Sequence, residues 1–465
     1  MGNEYVVAID FGTSQVVTLV GKKADKGRIE IVASAVGDSM GGMARGEIKN
    51  SEHISKAVKE TVDTIQNELG ITIREAYVGI SGPHVKCSRQ AGYIFIENND
   101  GEVKARDVQR LNESMNHVHV PVGEAIIHIL PQKYTVDGEG DINDPVGVLG
   151  KKLEATFNIV TGDKSSLVRV ENCLKKINVR MSQLMLNPLA AAEAVLVPDE
   201  KELGVAVVDI GGGTADLCIY HDNIIRHVAI IPLGGNTVNK DIRSYGILER
   251  HVESLKVKFG SAVGEMERAD KYITIPGLNA RDPKEISFRN LASIIEARML
   301  DIVDCVMAEI RRSGYLGRLG AGIVLTGGAA NLKNMDVLFR QHTGCEVRVA
   351  IPDLYVMPDS VELVNNPLYS AAVGLLLKAV RDGVASQAVA QPTVGTARLN
   401  PSGPAQPGPD LSQARPVSPM MNPIGEARED DDDQDETPGK NRKGIFGRLS
   451  DRFTGMFDVI DDDKI

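Results

Sequence analysis

The chain has 465 residues, 42% of them hydrophobic, and a formal net charge of −11. A chain of this length exceeds the usual size of a single hydrophobic core, so we expect at least two domains. The acidic run at residues 429–436 carries much of the negative charge, and the remainder is only mildly acidic. This balance argues against nucleic acid as a general partner.

The five cysteines are far apart and show no C-x-x-C spacing, which is typical of reduced core residues in a cytosolic protein. No apolar run approaches the length of a membrane span, and no signal peptide precedes the first predicted strand. Any contact with a membrane is therefore expected to come from another kind of segment.

The first predicted element is a hairpin with a short polar turn. Residues 5–10 form an apolar strand that ends at Asp10, and residues 16–20 form the returning strand. The turn between them contains Gly12, Thr13 and Ser14. Three elements follow in an α/β order: a strand at 28–35, a helix at 51–70 and a strand at 75–81.

The middle of the chain contains two predicted insertions. Residues 82–162 alternate in short strands and polar turns, which indicates a small inserted subdomain. A helix at 165–177 returns to the core, and residues 184–196 form a short strand and turn that lead into an alanine-rich helix, whose small residues permit close helix packing. Residues 234–311 form a second insertion that includes a long amphipathic helix.

A second hairpin repeats the pattern of the first. Residues 205–209 read as a strand that ends at Asp209, and residues 217–220 read as the returning strand. The turn holds Gly211, Gly212, Gly213 and Thr214. Glycines let a backbone approach a phosphate and point N–H groups at it, and an Asp at a strand end can hold hydrated Mg²⁺. An ordinary tight turn is the alternative for one copy. Two copies favour a nucleotide clamped between duplicated halves.

The last core elements are a strand followed by Thr326, Gly327, Gly328 and Ala329, and a helix at 366–380. A glycine pair at a strand-to-helix turn is a place where a base or ribose can approach the backbone. Residues 384–439 hold nine of the 21 prolines together with the acidic run, so this segment is predicted to be a disordered linker.

Residues 440–465 carry apolar side chains on one face of a predicted helix, with basic residues beside them. The apolar positions are Ile445, Phe446, Leu449, Phe453, Met456 and Phe457, and the basic residues on the helix include Arg448 and Arg452. This pattern favours a helix that lies in an anionic membrane surface. A helix docked in a protein groove is the alternative.

Three motifs resemble the nucleotide-binding elements of the actin, Hsp70 and sugar-kinase superfamily. DFGTS and VVDIGGGTADL are similar to its two phosphate loops, and VLTGGAA is similar to its adenosine motif. Within that superfamily, the chain resembles the FtsA family of bacterial cell-division proteins from Val6 to about Val380, through motifs such as ILPQKYTVD and DPVGVLGKKLEATFNIVTG. The C-terminal linker and amphipathic helix also resemble the membrane anchor of that family.

This resemblance implies a duplicated actin-like (ribonuclease-H-like) two-domain α/β fold with a nucleotide cleft. The first half would comprise residues 1–81 and 163–203, interrupted by the inserted subdomain at 82–162. The second half would comprise residues 204–383, with a partner-binding subdomain at about 234–311. The linker at 384–439 and the amphipathic helix at 440–465 would complete the chain.

The resemblance also implies a function and a set of site residues. The protein would bind ATP with Mg²⁺ and polymerise. It would bind the C-terminal tail of FtsZ and tether the FtsZ ring, as a peripheral protein, to the cytoplasmic face of the inner membrane at the septum. There it would recruit later division proteins. The implied nucleotide-binding residues are Asp10, Gly12, Thr13, Ser14, Gly211, Gly212, Gly213, Thr214, Asn236, Glu253, Lys256, Gly327, Gly328 and Ala329. Asp10 and Asp209 would hold the metal ion.

Two departures from the superfamily pattern bear on catalysis. Gln15 stands where many relatives carry Lys, and Asn187 stands where chaperone relatives carry a Glu that orients the attacking water. An amide cannot act as a general base at neutral pH, so we expect at most a slow ATPase in which Asp209 organises water and metal. A small-molecule kinase of the same superfamily is the alternative function, although no second carboxylate is placed in a substrate pocket. A chaperone would need a further folded domain after the core.

Overall fold

The computed structural model describes residues 4–98, 100–277, 283–383, 387–390 and 458–461. Within these residues the chain forms two five-stranded sheets, a four-stranded sheet and three smaller sheets. The first part of the chain contributes β1 Tyr5–Phe11, β2 Gln15–Lys23, β3 Ile29–Asp38, β4 Met43–Ala44, β5 Glu47–Ile48, α1 Ser51–Leu69, β6 Ile71–Ile73 and β7 Glu75–Ile80. Asn50 caps α1 by accepting backbone N–H bonds, and Gly70 ends it in a left-handed conformation.

The next segment is a subdomain with its own core. Its elements are β8 Lys86–Phe95, α2 Ala105–Ser114, β9 Glu124–Val136, β10 Glu139–Ile142 and β11 Lys152–Asp163. The strands form one antiparallel sheet in the order β10-β9-β11-β8. Leu111 of α2 is fully buried with Leu153, Phe157 and Ile159 of β11, so α2 covers one face of this sheet.

The chain then returns to the first half and completes its sheet. The elements are α3 Lys164–Lys176, β12 Arg180–Leu186, α4 Asn187–Val195 and α5 Pro198–Leu203. β12 pairs parallel with β7, and the strand order of the sheet is β12-β7-β1-β2-β3.

The second half is interrupted in the same way. Its elements up to the long helix are β13 Val205–Ile210, β14 Ala215–His221, β15 Ile224–Ile231, α6 Gly235–Ser244, α7 Glu249–Phe259, β16 Lys271–Ile275, β17 Lys284–Ser287 and α8 Phe288–Ser313. The remaining core elements are β18 Ile323–Thr326, α9 Met335–Thr343, β19 Val347–Val349 and α10 Ser370–Arg381. The strand order of the second large sheet is β15-β14-β13-β18-β19.

The two large sheets have the same topology. In each sheet a central antiparallel hairpin, β1–β2 or β13–β14, is extended by a third antiparallel strand on one side. On the other side, two later strands join in parallel. The predicted duplicated α/β fold with an inserted subdomain is confirmed at this level.

Helix α10 differs from its predicted place in the second half. Its buried residues Leu375 and Leu376 belong to the same hydrophobic core as Ile9 and Leu19 of the first half. A Cβ at Gly374 would lie 1.7 Å from the backbone oxygen of Ala190 in α4, so these two helices touch through their backbones. The last core helix therefore packs against the first half, whereas the predicted boundaries, which follow the sequence, assign residues 204–383 to the second half.

Two short strands differ from the predicted tail. β20 Ala388–Ala390 pairs with β6, within the range predicted as a disordered linker. Pro392 is the first proline of that range, so the residues before it retain the N–H groups that a strand ladder needs. β21 Asp458–Asp461 pairs with β16, so the helix predicted over 440–465 does not include these four residues. The predicted membrane residues lie outside the described residues: Ile445, Phe446, Arg448, Leu449, Arg452, Phe453, Met456 and Phe457.

Candidate functional site

The tips of the two central hairpins have the same backbone geometry. In the first tip the N–H of Gly12 donates to the backbone oxygen of Gln15 at 3.1 Å. In the second, the N–H of Gly211 donates to the backbone oxygen of Thr214 at 2.8 Å. Each hairpin therefore closes with a four-residue turn that begins two residues after its Asp, at the same place in the two halves.

The two tips lie against each other. A Cβ at Gly212 would lie 2.0 Å from Ser14 Oγ, and a Cβ at Gly213 would lie 2.5 Å from Thr13 Oγ1. Only glycine allows an approach this close. The structure thus brings together the predicted phosphate-binding residues of both halves, with hydroxyl groups on one side and open backbone on the other.

Helix α6 begins at the second tip and reaches the first. The N–H groups of Gly235 and Asn236 donate to the backbone oxygens of Gly211 and Gly212 at 2.9 and 2.7 Å. The Asn236 side chain exchanges hydrogen bonds with Ser14 Oγ, at 3.1 and 3.2 Å. Asn236 therefore links the second half to the phosphate turn of the first.

The predicted ribose and base residues lie one step further from the tips. Lys256 Nζ donates to the backbone oxygen of Gly235 at 3.3 Å and to Glu253 Oε2 at 2.7 Å. Asn239 Nδ2 also donates to Glu253, at 2.6 Å. Glu253 and Lys256 thus stand beside the start of α6, where a nucleoside attached to tip-bound phosphates could be reached.

The third glycine element packs against the second hairpin. Gly327 has φ +86°, and a Cβ there would lie 2.2 Å from Asp209 Oδ1. A Cβ at Gly328 would have only Leu368 nearby, at 3.6 Å, so its backbone is open on one side. Ala329 Cβ lies 3.5 Å from the Cβ position of Gly235, which places this turn beside α6 as well.

Two carboxyl groups lie at the strand ends beneath the tips, Asp10 buried and Asp209 partly buried. Burial, followed by the nearby Asp209 charge, raises the pKa of Asp10 to about 7, against the lowering effect of a hydrogen bond from Asn187. Burial also raises the pKa of Asp209 to about 7. A divalent cation would favour the ionised form of both groups, and carboxylate oxygens are ligands that Mg²⁺ accepts.

Asn187 begins helix α4 and holds Asp10. Its Nδ2 donates to Asp10 Oδ1 at 2.8 Å, while its Oδ1 is buried and has no hydrogen-bond partner. A Cβ at Gly79 would lie 2.5 Å from that oxygen. The unpaired Oδ1 can accept a hydrogen bond from a water molecule, but the amide cannot remove its proton.

Asp216 and Ser81 are site residues that the sequence analysis did not assign. Asp216 pairs with Asp209 across the hairpin and is 2% exposed. Burial, followed by the Asp209 charge, raises its pKa well above the usual range. Ser81 Oγ donates to Thr214 Oγ1 at 3.4 Å, which connects β7 of the first half to the second tip. A carboxyl group at the start of an otherwise apolar buried strand could have revealed the first of these; Ser81 has no local signal.

These residues suit a nucleotide with a divalent cation. At the glycine tips no side chain of the turn separates a ligand from the backbone. In addition, Asn187 Oδ1 and Asp216 Oδ1 are buried without hydrogen-bond partners. Among the described residues there is no group of three or more His, Cys, Asp or Glu side chains that could hold a metal alone. A cation here would therefore take its other ligands from phosphate or water.

In the part of the chain that the structure describes, no helix combines the length and the apolar character needed to cross a membrane.

The topology and the site define the class of protein. Two topologically equal halves whose hairpin tips meet above paired carboxyl groups make this an actin-like protein. A solved structure of a PilM–PilN type IV pilus biogenesis complex shares this fold, with a TM-score of 0.56 and 16% identity over 81% of this chain and 98% of that chain.

Sequence comparisons narrow the class to a family. A family profile described as "Cell division protein FtsA" matches residues 206–374, and one described as "SHS2 domain inserted in FTSA" matches residues 82–161. Cell division protein FtsA of Pseudomonas aeruginosa is 34% identical over 80% of this chain and 88% of that protein. FtsA of Escherichia coli K12 is 31% identical, with 80% and 89% covered, and FtsA of Bacillus subtilis is 31% identical, with 82% and 84% covered. The chain belongs to the FtsA family of cell division proteins, and the predicted family is confirmed.

Proposed function

We propose that the cleft binds ATP with Mg²⁺ between the two hairpin tips. The single observation that carries this proposal is the contact of the tips, where Thr13 and Ser14 fill the space that side chains at Gly213 and Gly212 would need. Backbone N–H groups and hydroxyls at such a junction can surround the phosphates. Glu253, Lys256 and residues 327–329 are the proposed contacts of the nucleoside.

Asp10 and Asp209 are the proposed holders of the cation. A bound Mg²⁺ would neutralise phosphate charge and draw both carboxyl groups into their ionised forms. Asn187 orients Asp10 through its amide N–H and leaves its oxygen for a water molecule. The Asn187 amide cannot act as a general base, and Gln15 supplies no positive charge to the phosphates. We therefore infer that ATP hydrolysis is slow at most, with Asp209 organising the attacking water.

The nucleotide is proposed to set a relative arrangement of the halves that permits self-assembly. Ser81, Asn236 and α10 all join parts of both halves, so a ligand between the tips can bias that arrangement. In this proposal the protein polymerises on the cytoplasmic face of the inner membrane at the septum. Residues 440–457 attach it there as a peripheral protein, and the subdomain around 234–311 binds the C-terminal tail of FtsZ. Later division proteins join this assembly.

Nucleotide binding is tested by Gly212→Ala, with Gly317→Ala as the matched control. The new methyl group at 212 would lie 2.0 Å from Ser14 Oγ, whereas one at 317 would have nothing within 4 Å. Overpacking of a tight site costs about 1–3 kcal/mol, so calorimetry should show ATP affinity at least ~10-fold weaker for Gly212→Ala and unchanged for Gly317→Ala. Equal affinities would contradict the proposed site.

Membrane attachment is tested by Phe453→Asp, with Val394→Asp in the predicted linker as the control. A charge on the apolar face should abolish flotation with anionic vesicles while leaving ATP binding intact. Polymerisation presents many weak anchors on one scaffold, so flotation of the unchanged protein should also strengthen with protein concentration. Loss of both activities together, or of neither, would count against the proposed anchor. Vesicles that recruit FtsZ only in the presence of the unchanged protein would support the tether.

A further inference from the structure

We propose that the outer edge of β16 is a docking edge for the C-terminal strand of the same chain, and that this docking competes with membrane attachment by residues 445–457. The first statement rests on strand pairing within the structure. The second also rests on the proposed membrane function.

The edge of β16 opposite β17 carries a third strand in the structure. β17 pairs with β16 on one side, from Tyr272–Ser287 to Ile275–Lys284, and β21 pairs on the other. Without β21, this side of β16 would present a row of backbone N–H and C=O groups. A two-stranded hairpin is also marginal by itself, so a third strand adds to its stability. Addition of an extended peptide to such an edge is a common mode of recognition.

The register fits the C-terminal segment to this edge. Val459 pairs with Ile273, which is fully buried in the core of the second half. Asp461 pairs with Lys271, so residues of opposite charge occupy cross-strand positions at one end. Opposite charges and apolar residues at facing positions both favour antiparallel pairing. The edge therefore suits a short segment with an apolar centre and acidic ends, as in the sequence DVID, in which Asp461 faces Lys271 and Asp458 faces Thr274.

Chain length permits the segment to dock on its own molecule. Roughly 70 residues separate β20 from β21, and an extended chain spans about 3.3 Å per residue, so the connection imposes no limit on reach. Covalent connection also gives the segment a high effective concentration at the edge. A second copy of the chain is thus the less favoured donor of the strand.

Docking conflicts with membrane attachment because the two segments adjoin. Phe457, the last apolar residue of the proposed anchor, directly precedes the first residue of β21. Consecutive Cα atoms lie 3.8 Å apart, so an inserted Phe457 would draw a docked β21 and the hairpin against the lipid. The acidic residues of the C-terminus, Asp458 and Asp461 to Asp463, would then face an anionic surface. Release of β21 would let the hairpin and Asp461 to Asp463 move away from the lipid, and only Asp458 would stay beside Phe457.

The docking is tested by hydrogen exchange on the full chain carrying Val459→Pro and Ile460→Pro. Successive backbone N–H groups in a strand point to opposite sides, so one of residues 459 and 460 donates to β16 and the other points away. Replacing both residues by proline removes the donor to β16 whichever of the two it is. We expect amide exchange in a peptide covering residues 271–275 to rise at least ~5-fold in this variant. It should remain unchanged in the matched control, Val459→Ile with Ile460→Val. Unchanged exchange in the proline variant would overturn the docking. Protection that falls on dilution of the unchanged protein would overturn docking within one chain.

The competition is tested with the same variants on phosphatidylglycerol vesicles. We expect the proline variant to bind at least ~3-fold more tightly than the unchanged protein and the control. Equal binding would overturn the competition. Absence of binding by all three proteins would overturn the proposed membrane function and the competition with it, while the exchange result would still decide the docking.

Discussion

The two hairpin tips share a backbone and differ in their side chains. Each closes with a hydrogen bond from its first glycine to the oxygen three residues later, but the first tip carries Thr13 and Ser14 where the second carries Gly212 and Gly213. The hydroxyl-bearing side chains of one tip occupy the space left by the missing side chains of the other. The two halves therefore have the same topology, but their tips have complementary surfaces, so the residues of one tip cannot replace those of the other.

The strand-end carboxyl groups extend this comparison and give the largest predicted effect. Asp10 receives a hydrogen bond from Asn187, which lowers its pKa, whereas burial alone sets the raised pKa of Asp209. A raised pKa means that the folded protein favours the protonated group. The stability from this group is complete below about pH 4 and is lost as pH rises towards 7.

Replacement of Asp209 by Asn should remove this loss. We expect Asp209→Asn to be about 3 kcal/mol more stable than the unchanged protein at pH 8 without Mg²⁺, and nearly equal to it at pH 4. Asp10→Asn should gain less, because it also loses the charged acceptor of the Asn187 hydrogen bond. Urea unfolding at pH 4, 6 and 8 measures both, with the exposed Asp353→Asn as control. A destabilised Asp209→Asn at pH 8 would show that the group is ionised and satisfied in the folded protein.

The sequence predicted the duplication because its signal is local. Each copy combines an apolar strand, an Asp, a glycine turn and a returning strand, and the structure places these at β1–β2 and β13–β14. In both halves this hairpin forms the centre of a five-stranded sheet with the same arrangement of strands.

Other features could not be predicted because they depend on packing between distant segments. Ser81 reaches Thr214 across the two halves, and α10 returns to the core of the first half. The Ser81 contact leaves no pattern in neighbouring residues, whereas the small residues of α4 predicted close helix packing but did not identify α10 as its partner. The strands at 388–390 and 458–461 form only because β6 and β16 offer open edges, a property of the folded sheets that no single segment encodes.

The next effect tests the complementarity of the tips. Gly213→Val should weaken ATP binding by about 2 kcal/mol, because its Cβ would lie 2.5 Å from Thr13 Oγ1. The double variant Thr13→Gly with Gly213→Ala moves a side chain from one tip to the other, so the new methyl group no longer meets Thr13. It should recover part of the ATP affinity that Gly213→Ala alone loses. Calorimetric titration with ATP measures the coupling, and Gly317→Val is the matched control. Additive losses in the double variant would mean that the tips do not share this space.

The smallest predicted effect concerns Asn187, which donates a hydrogen bond to Asp10 and so makes the surroundings of Asp10 differ from those of Asp209. Asn187→Ala removes the hydrogen bond to Asp10, so the pKa of Asp10 should rise further. We expect a loss of about 1 kcal/mol in stability at pH 8 that shrinks towards pH 5, measured by urea unfolding without Mg²⁺. In the Asp10→Asn background the same substitution should lose this pH dependence, since no carboxylate remains to be stabilised. If the pH dependence survives there, Asn187 acts through Asp209 or Asp216 instead, and the asymmetry between the halves has another origin.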